Sequence, residues 1–184
     1  MDIFTHYSEG VGRKDCLSFF FVGNMVEDKR GDVWICTEGG GLNYLHRDSR
    51  QFTHYLTDEK SVSPLFSNLK CIEYDEGRDC LYIGTHKQGF FCFDITARKV
   101  VYHTEKMGKS LSKIILRGDS LYILSGDGLY VKDLKQETMG YLYPSIRETH
   151  RAGSSFLIDS KDYIWIAQHD QLVRINMKLS LIHI

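Results

Sequence analysis

Four stretches of this sequence are copies of one another. Gly31 to Leu45 reads GDVWICTEGGGLNYL, and it returns as DCLYIGTHKQGFFCF (Asp79 to Phe93), DSLYILSGDGLYV (Asp119 to Val131) and DYIWIAQHDQLVRI (Asp162 to Ile175). The aromatic anchors of the copies, Trp34, Tyr82, Tyr122 and Trp165, stand 48, 40 and 43 residues apart. A second segment keeps step with the first. Phe4-Thr5-His6-Tyr7 recurs unchanged as Phe52-Thr53-His54-Tyr55, and Val100-Val101-Tyr102-His103 is a diverged third copy. A period in the forties built from short strands is the spacing of β-propeller blades, each a four-stranded antiparallel sheet.

Each period divides into four expected strands. They fall at about 19–28, 32–37, 41–46 and 51–56, then 68–75, 80–85, 89–94 and 98–104. The third blade is expected at 111–117, 120–125, 128–133 and 138–143, and the fourth at 154–159, 163–168, 171–176 and 179–184. Glycine-bearing turns (Glu38-Gly39-Gly40, Gly126-Asp127) link second to third strands, where positive φ is often needed. Val33, Ile35 and Thr37 alternate with Trp34 and Cys36, so both faces of that strand are largely apolar. Such a sheet must be covered on both sides, and stacked blades do this. The four aromatics are expected to be wedges between blades. The fold class is therefore all-β, a β-propeller of about four blades over residues 1–184 (19–56, 68–104, 111–143, 154–184). The segment 3–7 is expected to be the outer strand of a preceding blade. Because rings usually need four to eight blades, an incomplete part of a seven-bladed ring is expected, with self-association through its uncovered faces.

Composition excludes several functions. The formal net charge is -1, which gives no basic field for nucleic acid or anionic membrane. Met1-Asp2-Ile3-Phe4 lacks the features of a signal peptide, and the apolar stretch Leu17 to Val22 is too short to span a bilayer. The five cysteines include no CxxC, so small buried apolar residues are expected, with no zinc site and no complete disulfide framework. His6 and His54 hold equivalent places in different blades and should not converge on one ion. No ligand spacing, nucleophile elbow, P-loop or dinucleotide fingerprint occurs. Gly39-Gly40-Gly41 leads into a strand, so it lacks the helix N-terminus of a phosphate loop. No cofactor, metal or catalytic residue is assigned.

On Glu27-Asp28, Gly31-Asp32, Trp34, Ile35, Thr37, Gly39 to Gly41, Leu42, Asn43, Phe52 and Tyr55, the chain resembles the two-component regulator propeller repeat. Tyr82, Ile83, Gly84, Thr85 and Gly89 extend the match, whereas Leu124-Ser125 and Gln168 to Gln171 depart from it. The resemblance implies paired seven-bladed propellers outside the inner membrane. A β-sandwich, a membrane helix and a histidine kinase would follow, often with receiver and DNA-binding modules. It also implies sensing of glycan fragments and control of polysaccharide-use genes. A periplasmic location and membrane association through the parent protein come with it.

In a propeller the second-to-third turns and the inter-blade links open onto one end of the ring. That end would display Glu38, His86, Lys87, Gln88, Asp127, His169 and Asp170, which suit a polar ligand such as an oligosaccharide; ordinary surface loops are the competing account. Three functions follow. The first is a non-catalytic sensor module whose partners are a glycan-derived ligand, the remaining blades and signalling domains of the parent, and a second copy in a homodimer, with no direct nucleic-acid contact. The second is a protein-interaction scaffold. The third is a propeller glycoside hydrolase or lyase, whose carboxylates would come from loops such as Glu27-Asp28, Asp58-Glu59 or Asp75-Glu76.

Overall fold

The computed structural model describes residues 4–10, 13–57, 67–107, 109–144, 155–168 and 171–177. Four antiparallel sheets run in chain order. The first holds β1 (Val22–Glu27), β2 (Val33–Thr37), β3 (Gly41–Leu45) and β4 (Phe52–Tyr55). The second holds β5 (Leu69–Asp75), β6 (Cys80–Thr85), β7 (Phe90–Asp94) and β8 (Lys99–Thr104). The third holds β9 (Leu111–Arg117), β10 (Ser120–Ser125), β11 (Gly128–Asp133) and β12 (Met139–Pro144). The fourth shows β13 (Ser155–Ile158), β14 (Tyr163–Ala167) and β15 (Leu172–Asn176). Within each sheet every strand pairs with its sequence neighbour, which is the meander of a propeller blade. The stack is open, with no seam between its first and fourth sheets among the described residues. The strand expected at 179–184 lies outside the described residues.

One expectation is corrected. Ile3 lies outside the described residues, and Phe4 to Tyr7 form no strand. The same four residue types at Phe52–Tyr55 are a strand because β3 offers them a ladder. The first copy has no such edge beside it. Its segment instead crosses the outer face of the first sheet, where Tyr7 meets Phe52 edge-on at 5.4 Å and Leu17 packs with Ile35 and Phe52.

The pleat sends alternate residues into opposite seams. Trp34, Cys36, Leu42 and Tyr44 face Leu69, Ile72, Leu81, Ile83, Phe91 and Phe93 of the second sheet. Tyr82, from the other face of that sheet, joins Leu111, Ile114, Leu121 and Ile123 of the third. Tyr122, Leu124, Leu129 and Val131 then meet Phe156, Ile164 and Ile166 of the fourth. Three anchor aromatics are thus inter-blade wedges, as expected. Trp165 joins none of the three seams among the described residues; it is partly exposed, with Arg174 over its ring at 5.5 Å. Each square ångström of apolar surface covered in these seams stabilises the stack by about 25 cal/mol.

Two local devices recur. Gly41 and Gly128 open the third strand of their blades and Gly89 immediately precedes it, all with positive φ, and a Cβ there would strike the carbonyl oxygens of Tyr55, Tyr143 and Thr104 respectively. Glycine is needed because the fourth strand approaches too closely for any side chain. At the opposite end, the carboxylate that follows the first strand accepts the indole N–H of the anchor. Trp34 Nε1 donates to Asp28 Oδ2 at 2.9 Å, and Trp165 Nε1 to Asp159 Oδ2 at 2.8 Å. Between these corners runs a staircase of ion pairs: Arg30 to Asp79 (3.4 Å), Arg78 to Asp119 (2.7 Å) and Arg117 to Asp162 (2.7 Å). Each joins one blade to the next.

Candidate functional site

A line of hydrogen bonds marks one end of the stack. Gly39 and Gly41, from the β2–β3 turn, donate their backbone N–H groups to Ser67 O at 2.9 and 3.0 Å. His86 N donates to Asn68 O at 3.1 Å, and Gly126 N to Ser110 O at 3.0 Å. The His86 ring closes the next step, with Nδ1 at 3.3 Å from Ser110 Oγ. Turns of three successive blades and the links entering β5 and β9 therefore share one end, because each turn is sewn to the link beside it.

The expected site residues do not act alike there. Glu38 Oε1 accepts from Lys70 Nζ at 2.7 Å, an ion pair between the first and second blades that is about one-third exposed. His86 bridges the second and third blades. Lys87 is exposed. Gln88 is built into the turn: its N–H donates to Thr85 Oγ1 at 2.8 Å, and its carbonyl oxygen pairs with the His103 ring at 2.8 Å. Its side-chain Oε1 is buried without a partner, as is Asn68 Oδ1. Asp127 turns inward. Its carboxylate accepts from Ser125 Oγ at 2.6 Å and Tyr130 OH at 3.0 Å, so it is committed to its own hairpin. Burial and that carboxylate both push the Tyr130 phenol upward, which keeps it a donor. His169 and Asp170 lie outside the described residues.

Phe19, Phe20 and Phe21 were not among the expected site residues. Phe19 and Phe20 stack with ring centroids 4.6 Å apart, and Phe20 and Phe21 follow at 4.4 Å. Phe20 and Phe21 are each 58% exposed. The cluster adjoins the first turn directly: Glu38 N donates to Phe21 O at 2.9 Å, and a Cβ on Gly39 would touch the Phe19 ring. Three consecutive phenylalanines break the period-two alternation of a strand, and that was the signal available in the sequence. Residues 19–21 accordingly precede β1, which begins at Val22.

This corner thus combines an apolar ring platform, a neutralised Glu38–Lys70 pair and imidazole and hydroxyl groups within two blades. It can hold a molecule that has both an apolar face and hydroxyls. Two clefts lie on the outer part of the first blade. One is lined by Tyr7, Glu27, Val33, Leu45, Arg47 and Arg50, the other by Lys14, His46, Gln51, Phe52, Thr53 and His54. His54 Nε2 is there 2.9 Å from Cys16 O, a link to the crossing segment. Among the described residues, no group of three or more His, Cys, Asp or Glu is placed to hold a metal. Among them, too, no helix is long and apolar enough to cross a membrane.

No family model and no curated protein matches the chain. Solved structures do. One, described as the extracellular domain of the hybrid two-component system BT3049 of B. thetaiotaomicron, superposes with a TM-score of 0.77 at 19% identity. The match covers 95% of this chain and 23% of that one. The extracellular domain of the one-component system BT4673 of the same organism gives 0.73 at 21% identity, over 94% of this chain and 25% of that one. The computationally designed protein Ika4 gives 0.65 at 8% identity, over 84% and 90% respectively. At these identities the likeness is one of fold: propeller blades. The chain spans about a quarter of the length of the extracellular domains it matches.

Proposed function

We propose that this chain belongs to the two-component regulator propeller family as a non-catalytic stretch of a periplasmic sensor region, part of a seven-bladed ring. In this reading a glycan-derived ligand binds the end that carries Phe19 to Phe21, Glu38, Lys70 and His86. The signal passes to a kinase elsewhere in the parent protein, which meets the membrane and the genome through other domains. The observation that carries the reading is the agreement of two independent likenesses. The repeat around Trp34 resembles that family in sequence, and 95% of the fold overlays the extracellular domain of a hybrid two-component system. The mixed apolar and hydroxyl-binding surface supports a sugar ring, whose C–H face stacks on aromatics while its hydroxyls take hydrogen bonds.

Calorimetric titration of the folded protein with defined oligosaccharide pools tests the ligand. A binding pool should lose at least ten-fold in affinity in Phe20→Ala and in Glu38→Gln. Failure of every pool to bind would sink the glycan reading. A membrane helix and kinase in frame with this segment would support the regulator assignment, and a free-standing gene without either would oppose it. The exposure of Phe20 and Phe21 favours one second reading, a protein-interaction scaffold. It would show as a stable protein complex abolished by Phe20→Ala, with no response to glycans. Turnover of a polysaccharide, lost on changing one carboxylate, would replace both with an enzyme.

A further inference from the structure

The ion-pair staircase has a direction. Arg30, Arg78 and Arg117 each reach forward to an aspartate of the next sheet, and Asp79, Asp119 and Asp162 each stand three residues before the anchor aromatic of their own blade. The next donor in the series is Lys161. Its backbone N–H donates to Asp159 Oδ1 at 2.8 Å, as that of Arg30 donates to Asp28 Oδ1 at 2.8 Å, and each of these aspartates also takes the indole N–H of its blade. Lys161 is exposed, and among the described residues its ammonium forms no ion pair. Leu157 and Arg174 lie opposite Trp165, and Leu172 opposite Ala167, so these side chains share the face on which, in the first sheet, Trp34, Leu42 and Tyr44 meet the second. Among the described residues no sheet covers that face of the fourth.

The other end of the stack lacks the matching acceptor. Three residues before Trp34 stands Gly31, with a φ of 81° against 49° at Asp79 and 64° at Asp162, so the backbone is alike and the carboxylate is missing. Asp32 beside it is engaged by the Tyr44 hydroxyl and the Arg47 N–H, and Glu27 lies 3.6 Å from Arg47 Nη1. Arg47 and Arg50 line the cleft there. A lysine brought to that end meets arginines, and both carboxylates beside them are engaged.

We propose that the open face of the fourth sheet is a docking surface for a further β-sheet that carries a carboxylate where Asp79, Asp119 and Asp162 carry theirs, and that the first sheet of a second copy is a poor partner for want of it. The inference deepens the reading of the chain as part of a ring and rests on it. Lys161 supplies the charge, and Leu157, Trp165 and Leu172 supply the apolar ground. The segment crossing the first sheet does not bar a neighbour, because Met107, in the link between second and third blades, is likewise packed within a seam. A partly exposed ion pair contributes choice of partner more than strength. The missing acceptor at Gly31 also keeps copies from adding head to tail into filaments.

The test turns the protein's own first sheet into the missing partner. A variant with Gly31→Asp and Lys161→Ala has the acceptor and no donor; the unaltered protein has the donor and no acceptor. Sedimentation equilibrium of the mixture should show a mixed complex about three-fold tighter than self-association of either protein. The gain should vanish at about 0.5 M salt, and when Lys161→Ala replaces the unaltered protein. No gain, or a gain indifferent to salt and to Lys161, would overturn the proposal. Acrylamide quenching tests the chain's own residues after 177 as the occupant. Trp165, told from the buried Trp34 by Trp165→Phe, should be accessible in the monomer and shielded in the mixed complex; a ring already shielded in the monomer would also overturn the proposal. Should the Gly31→Asp protein fail to fold, a double-mutant cycle on Arg117→Ala and Asp162→Asn decides. A coupling that fades with salt supports the staircase as a docking contact, and no coupling removes it. The reading frame of the gene, which decides the regulator assignment, leaves each of these results unaffected.

Discussion

The second and fourth blades carry the same alternation and meet different fates. Every residue of β6, from Cys80 to Thr85, is buried, whereas β14 buries Ile164 and Ile166 and leaves Tyr163, Trp165 and Ala167 partly exposed. Among the described residues the second blade has a sheet on each side and the fourth on a single side. Leu157 and Leu172 are correspondingly 52% and 65% exposed. Double-sided burial is therefore a property of the stack, and a strand that is apolar on both faces only makes it available.

The largest expected effect sharpens this contrast. Trp34→Ala empties a seam and strips the buried Asp28 carboxylate of its indole donor. It should cost about 3–5 kcal/mol by urea unfolding. Trp165→Ala removes an equivalent ring from the open face and should cost clearly less. Equal costs would mean that the seams do not hold the blades. Next comes Gly84→Ala in the second blade, where a Cβ would lie 2.5 Å from Cys71 Sγ and 2.9 Å from Leu111 Cβ. Overpacking there should cost about 1–3 kcal/mol, with a midpoint shift as readout.

Smaller effects come from titration. Burial alone would raise the Asp28 carboxyl, but its bonds from Trp34 and Arg30 hold it below its ordinary 3.8. Its stabilisation is present above pH 3.8 and is lost as the pH falls through the lower folded value. Glu73 is the reverse case. Desolvation raises it above 4.5, despite the Leu116 N–H it accepts, so its contribution is complete below pH 4.5 and is lost as the pH rises through the folded value. Asp28→Asn should flatten the acid side of the urea-midpoint profile, and Glu73→Gln the decline above pH 4.5. Profiles unchanged by either substitution would remove both assignments. The smallest effect on stability, and the clearest on solution behaviour, belongs to the free face. The unaltered protein should self-associate at high concentration by light scattering. Leu157→Ser with Leu172→Ser should reduce this without moving the urea midpoint, and a clean wild-type monomer would contradict the idea.

The strands were legible because pleat and turn chemistry are local. Expected and observed bounds differ by one residue or so from the second strand through β15. The larger error was at 19–21, where an apolar run without a strand's alternation was read as strand and has no ladder beside it among the described residues beyond the Glu38 N–H that Phe21 O accepts. Phe4 to Tyr7 fails for the same reason, since its copy at Phe52 to Tyr55 is a strand by virtue of β3. At the candidate site, the sequence grouped the turns of Glu38 and His86 on one end, where the structure has them, but gave no sign that Asp127 is consumed by Ser125 and Tyr130. Nor could it find Lys70, whose partner is 32 residues away.

By itself, then, the sequence determined the blade period, the residues that alternate between faces and the glycines that let a fourth strand approach. Those follow from steric rules acting over a few residues. The tertiary structure alone decided which faces are covered, that Arg30, Arg78 and Arg117 each reach an aspartate of the following blade, and that Phe20 and Phe21 stand exposed beside the turns. These depend on contacts between segments well separated in the sequence, or on a neighbouring sheet being there at all, and no local pattern encodes them.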